Sequence, residues 1–263
     1  MTTPDPLFSV QDQIVLVSGG TRGIGKAIAL GFAERGATVI VTGRDSAGTR
    51  AAAGEMSQGD LTIQGLACDV ARSEAIESLV ALVLEQHGRI DTLINVAGVN
   101  RRMPSLDLGE EDYDHILDTN LKGAFLLSQR VGRAMVEAGT GCQINIGSLT
   151  TAYPLKNVLP YAMSKSAIGS MTQSLAMEWG PKGIRVNALA PGFILTDLTK
   201  KLWSDSGMQA WGKANTPLGR LGVPGDMVGT AVFLAAPAAA FMTGQILYVD
   251  GGFTSGWAWP IPE

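Results

Sequence analysis

The chain has 263 residues, 33 of them glycine, and a formal net charge of -4. That length holds one large α/β domain or two small ones with a substantial core, and the slight acidity gives no ground for a nucleic-acid partner. Only Cys68 and Cys142 are present, and His87 and His115 are the only histidines, so neither a disulfide framework nor a His/Cys metal site is expected.

Apolar runs alternate with helical patterns from end to end. Residues 14–17 read as a first buried strand and residues 23–35 as a helix that stops at Gly36. Further strands are expected at 38–41, 62–67, 93–96, 143–146, 185–189 and 246–249. Helical patterns fill the gaps, the longest over residues 110–138 and 160–180. The alternation predicts a doubly wound α/β fold, with a parallel sheet of about seven strands and helices on both faces. No linker or repeat interrupts it, so residues 1–263 read as a single domain. Two stretches leave the rhythm. Residues 191–223, with proline, glycine, tryptophans and lysines, read as a substrate lid. The apolar tail 256–263 has no sheet to join. No apolar run approaches a membrane span and no signal pattern opens the chain, so a reducing cytoplasm is the expected setting.

The first strand runs into Gly19-Gly20-Thr21-Arg22-Gly23-Ile24-Gly25 and then a helix. Glycines there allow close backbone approach, and a helix N-terminus favours phosphate, so the turn is a candidate for a dinucleotide pyrophosphate. Gly20 to Lys26 also matches the start of a P-loop, but Ala27 stands where a magnesium-binding hydroxyl belongs. The plainer alternative is a turn of packing value only. After the second strand come Thr42-Gly43-Arg44-Asp45. Arg44 with Arg22 favours a 2′-phosphate, hence NADP. Asp45 is the competing carboxylate for an NAD ribose, although it comes late, past the strand end. Asp69 and Val70, after the third strand, are candidates to face the adenine, with a turn or cap as the alternative for Asp69.

Tyr161 and Lys165 stand at i and i+4 and share one helix face. A nearby ammonium lowers a phenol's pKa from about 10 and fits it for proton transfer at an alcohol or carbonyl oxygen. Ser148 lies thirteen residues upstream of the tyrosine. With the glycine-rich turn, the set points to hydride chemistry.

These residues resemble the short-chain dehydrogenase/reductase family over nearly the whole chain. The motifs come in the family's order: Ser18-Gly19 with Gly23-Ile24-Gly25, Asn95-Val96-Ala97-Gly98, Asn120, Ser148, Tyr161 with Lys165, then Pro191-Gly192 with Thr196. Ser18 replaces the usual threonine and keeps its hydroxyl. Val96 replaces a second asparagine, so a hydrogen bond below the cofactor is in doubt. The resemblance implies a Rossmann-type domain and an NAD(P)-dependent enzyme acting on CH–OH groups. It implies Tyr161 as general acid or base and Lys165 as its electrostatic partner and ribose ligand. Ser148 would bond the substrate oxygen, and Asn120 would hold a water leading to Lys165. Thr21, Asn95, Ala97, Gly98, Pro191, Gly192 and Thr196 join the turn around the cofactor.

Asn95 to Pro104, with Arg101-Arg102, and the stretch Thr196 to Lys200 with Trp211 and Thr216-Pro217 look like gluconate 5-dehydrogenases and deoxygluconate dehydrogenases. Arg102 could clamp a sugar-acid carboxylate, or both arginines could be solvated loop residues. The expectation is a sugar acid or polyol substrate. A 3-oxoacyl or other small-ketone reductase is the runner-up, and a non-catalytic NADP(H) sensor the alternative of another class. The family adds an expectation of homotetramers. Ala162, Ala167, Gly169, Ser170, Met171 and Ala176 permit close helix contact, and the tail is expected at a subunit contact.

Overall fold

Runs such as Val15-Leu16-Val17 are apolar on both strand faces, which suits a parallel sheet with both faces covered. The computed structural model describes residues 5–256 and shows such a sheet. Its strands are β1 Ile14–Ser18, β2 Thr38–Gly43, β3 Ile63–Ala67, β4 Thr92–Asn95, β5 Gly141–Ile146, β6 Ile184–Pro191 and β7 Ile246–Val249. All pairs are parallel, in the order β3-β2-β1-β4-β5-β6-β7. Helices α1 Gly23–Ala33, α2 Ser46–Met56 and α3 Ser73–His87 follow the first three strands. Helices α4 Glu110–Leu117 and α5 Gly123–Ala138 precede β5, and α6 Leu159–Trp179 precedes β6. The short helices α7 Lys200–Trp203 and α8 Ser206–Ala214 lie in the expected lid segment, and α9 Val228–Ala235 precedes β7.

Strand alternation divides the core in two. Val15, Val17, Val39, Val41 and Ile144 pack with Ile28 and Phe32 of α1 and Ala231 and Leu234 of α9. Ile14, Leu16, Ile40 and Leu93 pack on the opposite face with Leu79 and Val83 of α3, Leu127 and Val131 of α5, and Leu175 of α6. Each fully buried aliphatic side chain contributes about 1.5–3 kcal/mol, so the sheet is held from both sides.

One expectation is corrected. The pattern over residues 110–138 is not one regular helix, because a π-helical segment, Asp118–Lys122, separates α4 from α5. The widened turn seats Asn120 inward at 1% exposure. Its amide donates to the Val99 carbonyl at 2.9 Å and accepts the Val99 N–H at 2.8 Å. A polar insertion of this kind re-aims one side chain without ending the helix. Smaller differences lie at element ends: the first helix stops at Ala33, and β6 runs on to Pro191.

Asn95 and Asn145 face each other in the β4–β5 register. Asn95 Nδ2 donates to Asn145 Oδ1 and to Ser128 Oγ, each at 2.9 Å, and Asn145 Nδ2 donates to Thr172 Oγ1 at 3.0 Å. This chain of buried bonds ties β4 and β5 to α5 and α6. The tail from Trp257 onward lies outside the described residues.

Candidate active site

The strand order reverses between β1 and β4, and their C-terminal ends open the crevice where such sheets take ligands. The glycine-rich turn lines it. Gly19 has φ +68, and a Cβ there would stand 2.8 Å from the Ala97 backbone. A Cβ on Gly25 would come within 2.2 Å of the Gly19 carbonyl oxygen. The turn can therefore close only with bare backbone. Behind it α1 begins at Gly23 with no side-chain cap, which leaves its first amide groups free for an anion. That cradle fits a pyrophosphate. Thr21 is half-buried beside Gly43, and Thr196 sits over Gly23, 3.6 Å from a Cβ placed there. Ser18 Oγ accepts the N–H groups of Val96 and Ala97 at 3.1 and 3.3 Å, which fixes the end of β4. Gly98 lies against Asn120, and Gly192, after Pro191, is bonded to the Val249 carbonyl at 3.1 Å.

Around the adenosine end, Arg22 and Arg44 are both exposed. Asp45 is occupied: its carboxylate caps α2 by accepting the Gly48 N–H at 2.6 Å. Asp69 and Val70 follow β3, and the turn offered as the alternative for Asp69 is present. Asp69 accepts the Ala71 N–H at 3.1 Å, a turn bond, and the Val70 side chain is buried in the core close to Gly123 at the start of α5. The Asn95 side chain turns into the fold. Both of its amide bonds go to Ser128 and Asn145 inside the fold, so its side-chain donors are spent away from the crevice.

Ser148, at the end of the strand β5 turn, is 7% exposed, and its hydroxyl accepts the Thr150 N–H at 3.1 Å. It thus caps a short helical turn, Leu149–Thr151, as well as facing the phenol. Tyr161 and Lys165 come from the first turns of α6. The Tyr161 side chain is half-buried, while its hydroxyl stands deep enough that desolvation pushes the phenol above its ordinary pKa. A hydrogen bond with Ser148 and the charge of Arg102 act in the opposite direction. Lys165 stands beside the tyrosine ring. Its ammonium lies 5.7 Å from the Tyr161 ring centre and donates to the Ile146 carbonyl at 2.6 Å. Burial itself brings the Lys165 pKa down to about 8. Within the protein alone, burial of the phenol outweighs the Ser148 hydrogen bond and the Arg102 charge. Asn120 reaches the same helix, since its Nδ2 donates to Ser164 Oγ at 3.2 Å and Ser164 Oγ donates to the Tyr161 carbonyl at 2.7 Å.

The adjacent arginines have different surroundings. Arg101 is ion-paired to Asp112, whereas Arg102 has no carboxylate partner among the described residues, and its charge reaches the phenol. Sequence reasoning missed Ser164 and Thr151, which only the folded contacts reveal. It also missed an aromatic cluster between the 191–223 segment and Phe253. Phe193 stacks edge-on with Trp203, Trp211 and Phe253 at 5.3, 5.6 and 4.7 Å between ring centres. Cys68 is no candidate nucleophile, because burial, helped by Asp69, pushes its thiol up to about 11. No group of metal-binding side chains occurs among the described residues, and no described helix is long and apolar enough to cross a membrane.

The family described as enoyl-(acyl carrier protein) reductase matches residues 19–254. A gluconate 5-dehydrogenase of Gluconobacter oxydans is 37% identical over 254 residues, covering 97% of this chain and 99% of the relative. A 3-oxoacyl-[acyl-carrier-protein] reductase of Vibrio harveyi is 37% identical over 245 residues, covering 93% of this chain and 98% of the relative. A solved gluconate 5-dehydrogenase of Burkholderia cenocepacia, in complex with NADP and tartrate, superposes with a TM-score of 0.93 at 33% identity, covering 95% of this chain and 98% of that one. The glycine turn, the serine and the tyrosine–lysine pair stand on a sheet shared with these enzymes, and the chain belongs to the short-chain dehydrogenase/reductase family.

Proposed function

We propose that this enzyme interconverts a secondary alcohol and a ketone on a sugar acid or polyol, with NADP as the preferred cofactor. When bound, the dinucleotide supplies or accepts the hydride. The turn Gly19–Gly25 and the open N-terminus of α1 hold the pyrophosphate, and Arg22 and Arg44 hold the 2′-phosphate. The capping role of Asp45 supports NADP over NAD, because that carboxylate is already engaged. Pro191, Gly192 and Thr196 flank the cofactor. The segment 191–223 closes over it, within one domain that spans the chain.

Ser148 holds the reacting oxygen by a hydrogen bond. Tyr161 gives that oxygen a proton in reduction and removes it in oxidation. Its burial favours the protonated phenol, which suits proton donation. Lys165 holds positive charge behind the phenol and favours the phenolate that donation leaves. Asn120 anchors Val99 and the helix turn at Ser164, and so supports the route by which Tyr161 is reprotonated.

The sugar-acid reading rests on Arg102. It is exposed, its charge reaches the Tyr161 phenol, and its neighbour Arg101 is neutralised by Asp112. A carboxylate a few bonds from the reacting carbon would meet that guanidinium. The relatives named gluconate 5-dehydrogenase, one crystallised with the hydroxy-acid tartrate, support the same class. Arg102→Ala should raise KM for an aldonate by about tenfold, one charged hydrogen bond's worth, and leave KM for a neutral polyol within about twofold. Equal effects on both would remove the carboxylate from the reading. The Vibrio relative favours a second reading, reduction of a 3-oxoacyl group. Turnover of a 3-oxoacyl thioester, with none of any sugar acid, would select it. We place the enzyme in the cytoplasm as a homotetramer. Phe125 on α5 is exposed and lines a groove with Met171, Leu175 and Trp179 of α6, a surface suited to a second copy.

A further inference from the structure

Ser148 and the Tyr161–Lys165 pair come from different elements, the end of β5 and helix α6. Their chemistry depends on how those elements are set against each other. One side chain bonds both. Thr151 Oγ1 accepts the backbone N–H of Ser148 at 3.2 Å and donates to the backbone carbonyl of Lys165 at 3.2 Å. A hydroxyl has one proton and two lone pairs, so both bonds are made at once. The Thr151 N–H returns a bond to the Ser148 carbonyl at 2.9 Å. Packing leaves little slack around it. A Cβ on Gly147 would stand 3.1 Å from Thr151 Oγ1, and one on Gly169 would stand 2.9 Å from Thr151 Cγ2. Ser166 Oγ adds longer contacts to the carbonyls of Thr150 and Thr151, at 3.4 and 3.3 Å.

We propose that Thr151 is a positioning residue, whose hydroxyl sets the placement of Ser148 against Tyr161 by tying the serine backbone to α6 at Lys165. The proposal rests on the reading of Ser148, Tyr161 and Lys165 as the reacting group. It predicts a loss of rate rather than of binding, because Thr151 is assigned no contact with substrate or cofactor. Misplacement of a reacting pair by a fraction of an ångström lowers turnover steeply.

The test replaces Thr151 by valine, which keeps the shape and deletes the hydroxyl, and by serine, which keeps the hydroxyl. Thr151→Val should lower kcat by about tenfold or more, with KM and NADP affinity within about twofold of wild type. Thr151→Ser should restore kcat. A second readout needs no turnover. The groups that act on the Tyr161 hydroxyl are Ser148 from β5's end and Arg102 from the loop after β4, while the Lys165 ammonium of α6 lies 5.7 Å from the ring centre. Ultraviolet titration with and without Tyr161→Phe isolates the Tyr161 step. That step should move upward in Thr151→Val, since the Ser148 hydrogen bond holds it down, and return in Thr151→Ser. If the valine variant does not fold, Thr151→Ala carries the same comparison. Wild-type kcat with an unmoved Tyr161 step in the hydroxyl-less variant overturns the proposal. So does a serine variant as impaired as valine, which would make the role one of packing. If wild type turns over no secondary alcohol, the functional reading fails, and the titration still decides the part played by Thr151.

Discussion

Lys165→Met exposes the electrostatic cost of the site through the stability of the fold. Lys165 is 4% exposed, and burial lowers its pKa from 10.5 to about 8. The folded chain therefore binds this proton less tightly than the unfolded chain. Below about pH 8 both states hold it, and the folded state bears the whole cost, about 3 kcal/mol for a shift of that size. As pH rises from about 8 towards 10.5 the unfolded state holds more of the proton, so wild-type stability climbs; above 10.5 the cost is gone. Methionine removes this contribution. It also leaves the Ile146 carbonyl one partner short, a loss of about 1–3 kcal/mol that does not vary with pH. Comparing the two proteins across pH separates the terms. Urea unfolding at about pH 7 and about pH 9.5, at one protein concentration, should show wild type gaining about 2 kcal/mol on Lys165→Met between the two conditions. A difference that stays within about 0.5 kcal/mol across that range, or moves the other way, would refute the assignment of a buried, protonated lysine.

Tyr161→Phe removes the titrating hydroxyl and keeps the ring, so turnover should fall at least about 10²-fold while NADP affinity, measured by fluorescence titration, stays near wild type. Near-normal turnover would take the proton-transfer role from Tyr161. Arg44→Asp sets a carboxylate against the 2′-phosphate and should shift kcat/KM from NADP towards NAD. A wild type that already prefers NAD by about tenfold would contradict the reading of Arg22 and Arg44. Light scattering at micromolar concentration should give the mass of four chains, and a monomer would remove the assembly proposed for the α5–α6 face.

Much of this architecture can be read from residue order, and the physical reason is burial. Both faces of each strand are covered, so the strands stand out as short apolar runs between longer amphipathic ones. The Tyr161–Lys165 spacing is legible because a helix is regular over four residues. Asp45 reads in sequence as a competing ribose carboxylate, and only the fold shows it capping α2. What stays hidden depends on contacts distant in the chain. A strand buried on both sides does not announce which face its polar residue takes, and Asn95 points into the fold. The π segment at Asp118–Lys122 adds no unusual residue, so residues 110–138 read as unbroken helix. The phenol's pKa shows the same limit. A lysine four residues away is visible in sequence, but the desolvation that raises the phenol's pKa comes from the packing of several separate elements.

The facing pair Asn95 and Asn145 also acts as a check on strand alignment. A β-strand that slips by one residue turns every side chain to the opposite face. Were β4 to slip, Asn95 would take the place of Ile94, among the aliphatic residues beneath α1 and α9. Its amide would find no partner there, and Asn145 and Ser128 would lose theirs. Each stranded polar group costs about 1–3 kcal/mol. In β1 the run Ile14 to Val17 is aliphatic, and only Ser18 at its end carries a comparable penalty for a shifted pairing. Two amides at the centre of the sheet thus make misaligned assembly expensive, and the crevice at the strand ends inherits its geometry from that alignment.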